Sequence, residues 1–143
     1  MKHFRLLPLL FIILVFSNCA KDDDSNVKAK LIGKWKLIQE RETEYEDGVK
    51  VNEDLYTEFE VESAVEFKSD GKLTFTEGNF SDDATYTVNL SGTKLTIDYR
   101  IHPTAEVDIK SLTSSELILV FANTDTQNGL DYKKVTEASY KKR

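Results

Sequence analysis

Thr85-Tyr86-Thr87-Val88-Asn89-Leu90-Ser91-Gly92-Thr93-Lys94-Leu95-Thr96-Ile97-Asp98-Tyr99-Arg100-Ile101 reads as two strands and the turn between them. Tyr86, Val88 and Leu90 alternate with polar residues, and so do Leu95, Ile97, Tyr99 and Ile101. A spacing of two puts every apolar side chain on one face of an extended chain, whereas a helix needs a spacing of three to four. Ser91-Gly92 supplies the reversal.

The same grammar extends in both directions. Val107 and Ile109 alternate with Glu106, Asp108 and Lys110, and Ser114-Ser115 turns the chain again. Leu117 to Ala122 is apolar on both faces, and a last strand runs from about Leu130 to Thr136. Towards the N-terminus, Asp70-Gly71 makes a tight turn before Leu73 and Phe75. From Leu55 to Phe67 the odd positions carry Leu, Phe and Val while Glu58, Glu60, Glu62 and Glu66 fall on even ones, which predicts a half-buried strand with an acidic outer face. Ile32 to Ile38 is the first apolar-rich segment, and a short helix between 40 and 56 is the one helical alternative.

Some eight short strands joined by tight turns predict an antiparallel meander. Such a meander hides its edges best by closing, so the expected fold is all-β: an eight-stranded antiparallel up-and-down barrel. A two-sheet sandwich is the alternative. The doubly apolar strand at Leu117 to Phe121 calls for cover from outside, by residues 40–54 or by a partner.

The chain has 143 residues, 40% hydrophobic and 31% charged, with a net charge of −6. Its first residues differ in kind from the rest. Lys2, His3 and Arg5 precede an apolar run from Leu6 to Phe16, broken by Pro8. That length suits a signal segment rather than a spanning helix. Residues 1–18 are therefore expected to be a signal peptide. Without Lys2 and Arg5, 17 basic and 25 acidic side chains remain, a net of −8. A domain so acidic repels phosphate backbones, which argues against nucleic acid as a partner. The single cysteine, Cys19, excludes internal disulfides and thiolate metal clusters.

Val15-Phe16-Ser17-Asn18-Cys19 resembles a lipobox of Bacteroidetes-type bacterial lipoproteins. The resemblance implies cleavage before Cys19 and lipidation of its thiol, palmitate being a typical chain. Two or three acyl chains hold a protein on a membrane where one does so reversibly. Lys21-Asp22-Asp23-Asp24 resembles the acidic signal that sends such lipoproteins to the cell surface. The expected location is therefore the outer membrane, lipid-anchored and surface-exposed, with the periplasmic face as the alternative. A charged run is also what a solvated tether contains, and residues 19–30 are expected to be one.

Leu31-Ile32-Gly33-Lys34-Trp35-Lys36-Leu37 resembles the start of a bacterial lipocalin-like domain, and the resemblance continues to the closing Tyr132-Lys133-Lys134-Val135. It implies a barrel over 31–137, followed by a basic tail over 138–143. In lipocalins the Gly-x-Trp tryptophan closes one end of the barrel, a role that maps onto Gly33 and Trp35. A late basic residue commonly lies over that ring, which points to Lys133 or Lys134.

Catalytic material is scarce. Beyond His3, only His102 is present, beside Pro103 at a strand end, where a surface turn histidine is expected. Ten acids lie between Glu40 and Glu62, and their even spacing fits a solvated face better than a carboxylate pair. Asn123, Asp125, Gln127, Asn128 and Gly129 miss the calcium-loop spacing by one residue and read as a hairpin loop. No metal, cofactor or enzymatic activity is expected. The inward strand positions offer Phe67, Phe75, Tyr86, Tyr99 and Phe121 as pocket candidates, the tyrosines because a buried hydroxyl needs a partner. The expected function is a membrane-tethered barrel that binds a small hydrophobic ligand. The alternative is a filled barrel acting as a structural or interaction protein that docks an envelope partner.

Overall fold

The structure, a computed structural model, describes residues 24–100, 103–127 and 129–143. The leader, Cys19, His102 and Asn128 lie outside these. Among the described residues there are one helix and nine strands: α1 Asp24–Leu31, β1 Gly33–Glu46, β2 Val49–Tyr56, β3 Ser63–Phe67, β4 Lys72–Glu77, β5 Phe80–Val88, β6 Lys94–Tyr99, β7 Ala105–Leu112, β8 Glu116–Gln127 and β9 Leu130–Lys142. Neighbouring strands are all antiparallel, and β9 pairs back onto β1. The ring β1-β3-β4-β5-β6-β7-β8-β9 is therefore a closed eight-stranded up-and-down barrel with no free edge of its own.

The ninth strand is an addition to that ring. The first residues of β1, Gly33 to Lys36, pair with β3, while Glu40 to Glu46 pair with β2 along the same edge. Strands β1, β8 and β9 run for 14, 12 and 13 residues, whereas β3, β4 and β6 have only 5 or 6. One side of the barrel thus rises above the rest as a curved wall, β2-β1-β9-β8. The segment 40–56 is a hairpin, not a helix, turned by Asp47 and Gly48, both at positive φ (48° and 78°) as a two-residue hairpin favours. Every residue of β2 is exposed. The strand expected over 55–67 is split, because Glu58, Glu60 and Glu62 lie in the link between β2 and β3. The hairpin extends the wall and does not cover β8, whose outward Ile118 and Val120 stay half-buried.

The closed end is a packed core. Trp35, Val65, Phe67, Leu73, Leu95, Ile97, Val107, Leu117 and Leu119 are all buried at 2% exposure or less. Helix α1 plugs this end. Its apolar residues Val27 and Leu31 stand one turn apart and are both buried, and Lys28 and Lys30 in the last turn suit the negative end of the helix dipole. The tether drawn to residue 30 is therefore corrected. Residues from Asp24 onward belong to the folded domain, because Val27 and Leu31, four apart on one helix face, are buried in the closed-end core.

Trp35 ties the plug to the ring. Its indole Nε1 donates to the Leu31 carbonyl at 2.7 Å. The cation over its ring is Lys142, with Nζ 4.9 Å from the centroid, and that ammonium also donates to the Lys30 carbonyl at 2.8 Å. Lys133 and Lys134 do not close the barrel. They sit at the far end of β9, opposite Tyr45 and Glu44, while Trp35 is in register with Lys142. Gly33 permits this arrangement: it has a φ of 128°, and a Cβ there would lie 2.9 Å from the Lys142 side chain. The residues set aside as a basic tail are likewise structural. Strand β9 continues to Lys142, and Arg143 pairs with Glu62 while its backbone N–H donates to the Lys34 carbonyl.

The plug packs closely on the β5–β6 turn. A Cβ on Gly92 would stand 2.6 Å from Val27 Cγ2. Gly92→Ala is expected to cost about 1–3 kcal/mol in urea unfolding, from overpacking against Val27 together with the strain of a side chain at its φ of 67°. Val27→Ala in the same chain should recover part of it, whereas strictly additive losses would place α1 elsewhere.

Candidate functional site: the open end of the barrel

The end opposite α1 is open, and a one-residue irregularity decides what lines it. Along β1 the inward residues are Trp35 and Leu37, the latter paired with Tyr140. A bulge then intervenes, so that Gln39 pairs with Ser139 and Glu40 with the buried Ala138. One extra residue inverts the facing of all that follow. Glu40, Glu42 and Glu44 consequently share the inner side with Ala138, Thr136 and Lys134. Read by spacing alone, these acids belong on the solvated outside.

Beneath them lies a cavity of about 360 Å³, lined by Leu37, Ala64, Phe75, Phe80, Asp82 and Tyr140 among others. Phe75 and Tyr99 stack beside it, with centroids 5.8 Å apart and planes 21° from parallel. Both are half-buried, as is Phe121 on β8. Of these three pocket candidates, Phe75 lines the cavity and Tyr99 stacks on it, while Phe121 packs against the core from β8. Phe67 and Tyr86 do not join them. They pack edge to face at 5.0 Å within the closed-end core, and the Tyr86 hydroxyl is satisfied by donating to the Lys68 carbonyl at 3.0 Å.

Tyr140 was not expected here, although the sequence carried its signal. Tyr132, Thr136, Ala138 and Tyr140 continue a period-two pattern beyond Thr136. Its ring is 9% exposed, and its hydroxyl has no hydrogen-bond partner among the described residues. Burial first, then the nearby Glu40 carboxylate, push that phenol well above its ordinary value, so it stays protonated. Burial and Asp82 push the Tyr99 phenol in the same direction.

Glu40 is raised too, by burial and by Glu42, against the opposing pull of Lys134. Lys134 is itself held by Glu42, 2.7 Å from its carboxylate. Because the folded chain binds the Glu40 proton more tightly than the unfolded chain does, stability falls as pH rises through the Glu40 titration. Glu40→Gln removes that loss. Its stability relative to the native chain, by urea unfolding, is expected to grow as pH rises above about 4, the ordinary glutamate range. An offset independent of pH would contradict the placement of Glu40.

A larger depression of about 710 Å³ lies at the tip of the wall, between the β1–β2 and β8–β9 turns. Its lining of Gly48, Thr124, Asp131, Tyr132 and Lys133 is exposed, with only Tyr45 half-buried, so it lacks the desolvation that binding a small molecule requires. Asn123 to Gln127 form the end of β8 rather than an ion-binding loop. Among the described residues no group of three His, Cys, Asp or Glu is placed to hold a metal ion, and no helix is long and apolar enough to cross a membrane.

Curated proteins include no match to the chain. Residues 31–119, from the end of α1 into β8, match the family model described as a lipocalin-like domain. The match covers more than half of the chain and coincides with a closed eight-stranded antiparallel ring, a tryptophan-sealed end and an open end with a cavity: the chain belongs to the lipocalin-like domain family.

Proposed function

We propose that this is a non-catalytic, membrane-anchored lipoprotein that binds a small hydrophobic molecule in the open end of its barrel. The observation that carries the reading is the cavity lined by the buried Leu37 and Tyr140 and the half-buried Phe75, with the exposed Phe80 at its rim and the Phe75–Tyr99 stack beside it. An apolar concavity with a few convergent polar groups is the usual form of a small-molecule site. The anchor rests on the sequence about Cys19, and the outer-surface address on Lys21 to Asp24. Native mass spectrometry of the protein purified from its own host tests the binding. A retained small molecule is the expected result, and bare polypeptide alone speaks against it. Cys19→Ser should move the protein out of the membrane fraction, and protease added to intact cells should degrade the native form if it faces outward.

A second reading has its own support. Strand β2 has β1 on one side and no strand on the other among the described residues, and Val49, Val51, Leu55 and Tyr56 on it are exposed. A free apolar strand edge suits docking of an extended segment from an envelope partner. Crosslinking from Val51 on cells separates the two: a discrete protein adduct favours docking, and no adduct favours binding alone.

A further inference from the structure

We propose that the open-end cavity selects organic cations, specifically a primary ammonium group on an apolar aryl or alkyl body, and disfavours carboxylates. This rests on the reading of the cavity as a binding site and names the class of ligand it takes.

Three observations carry it. The first is the hydroxyl of Tyr140, a residue 9% exposed on an inward position of β9 and in the cavity lining, without a hydrogen-bond partner among the described residues. Buried hydroxyls in native proteins are normally paired, so a bound molecule is the natural source of the missing partner. The phenol oxygen can accept a hydrogen bond from an ammonium group.

The second is the charge around that hydroxyl. Asp82 and Glu77 line the cavity from β5 and β4, and Glu40 and Glu42 stand on the inner side of β1 through the bulge. On the inner face of the open-end strands the one cation among the described residues is Lys134, already paired with Glu42. A carboxylate ligand would enter a field of its own sign with no free cation to meet it. An ammonium ligand would find Glu40 and Asp82, whose fields reach Tyr140 and Tyr99 respectively.

The third is the shape of the apolar part. Phe75, stacked on Tyr99, presents a flat aromatic wall, with Leu37 and Ala64 also in the lining. That suits an aryl ring or a short alkyl chain, with the head towards the acids. Aromatic faces also attract cations directly.

The test is calorimetric titration of the full-length protein in phosphatidylcholine nanodiscs, with empty nanodiscs subtracted. The ligands are 4-phenylbutylammonium, 4-phenylbutanol and 4-phenylbutanoate, which share one body and differ in the head. The ammonium ligand is expected to bind about tenfold tighter than the alcohol, with the carboxylate weakest. Glu40→Gln with Asp82→Asn should bring the ammonium down to the affinity of the alcohol. Glu66→Gln with Glu106→Gln, on exposed outer positions of β3 and β7, removes the same two charges and should leave it unchanged, which excludes attraction by net charge alone. Equal binding of all three ligands, or an ammonium preference that survives the double substitution, overturns the selectivity while the binding reading stands. Binding of none overturns both. The ranking on the native chain decides the matter even if the variants fold poorly.

Discussion

Trp35→Ala is expected to destabilise the domain by about 3–5 kcal/mol, the range for deleting a buried large aromatic side chain. A domain of this size has only about 5–15 kcal/mol to lose. The loss has separable parts. The ring is fully buried in the closed-end core, so its removal leaves a void among side chains that cannot all collapse into it. The Leu31 carbonyl loses its donor, and Lys142 loses the ring beneath its ammonium. Trp35→Phe isolates the polar part, because most of the apolar surface remains while the N–H is gone. It should cost about 1–3 kcal/mol, the penalty of one orphaned buried acceptor. Urea unfolding measures both. A near-neutral Trp35→Ala would contradict the sealed end altogether.

Leu31→Ala is the second large effect, at about 2–5 kcal/mol. Leu31 is fully buried and ends α1, so it belongs to the same core as Trp35 and Leu95. If the residues before the barrel were only a tether, truncating this side chain would change nothing. The expected loss therefore tests whether α1 is part of the fold. It should be non-additive with Trp35→Ala, since both side chains pack in the same closed-end core.

The strands from β4 to β7 were legible because each has one buried and one wet face, and period two is the direct imprint of that condition. Tyr86 and Ile97, opposite each other across β5 and β6, illustrate it. Strand β2 left no such imprint, since all eight of its residues are exposed and nothing selects apolar residues on one side. Its turn did leave a trace in Asp47-Gly48, between Glu46 and Val49. Helix α1 was hidden by its composition: Val27 and Leu31 are its only large apolar residues, and the charges around them read as a tether.

The site was harder to read than the fold, for one physical reason. A bulge is an event of a single residue with no composition of its own, yet it exchanges the two faces of everything beyond it. Glu40 and Glu42 look like outer-face acids until the extra residue at Ile38 is counted. The cation over Trp35 was misplaced for a related reason. Which lysine of β9 reaches the ring depends on how far β8 and β9 run before they turn, and Lys142 stands nine positions beyond Lys133.

The proposed function requires a small apolar molecule to enter the open end while the tryptophan-sealed end stays packed. NMR titration of the isotope-labelled protein with 4-phenylbutanol tests it most directly, because both ends are observed in one spectrum. Saturable shifts at Phe75, Tyr99, Phe121 and Tyr140 are predicted, with the Trp35 indole N–H unmoved. Shifts centred on Trp35, or a spectrum that does not change at saturating ligand, would contradict it.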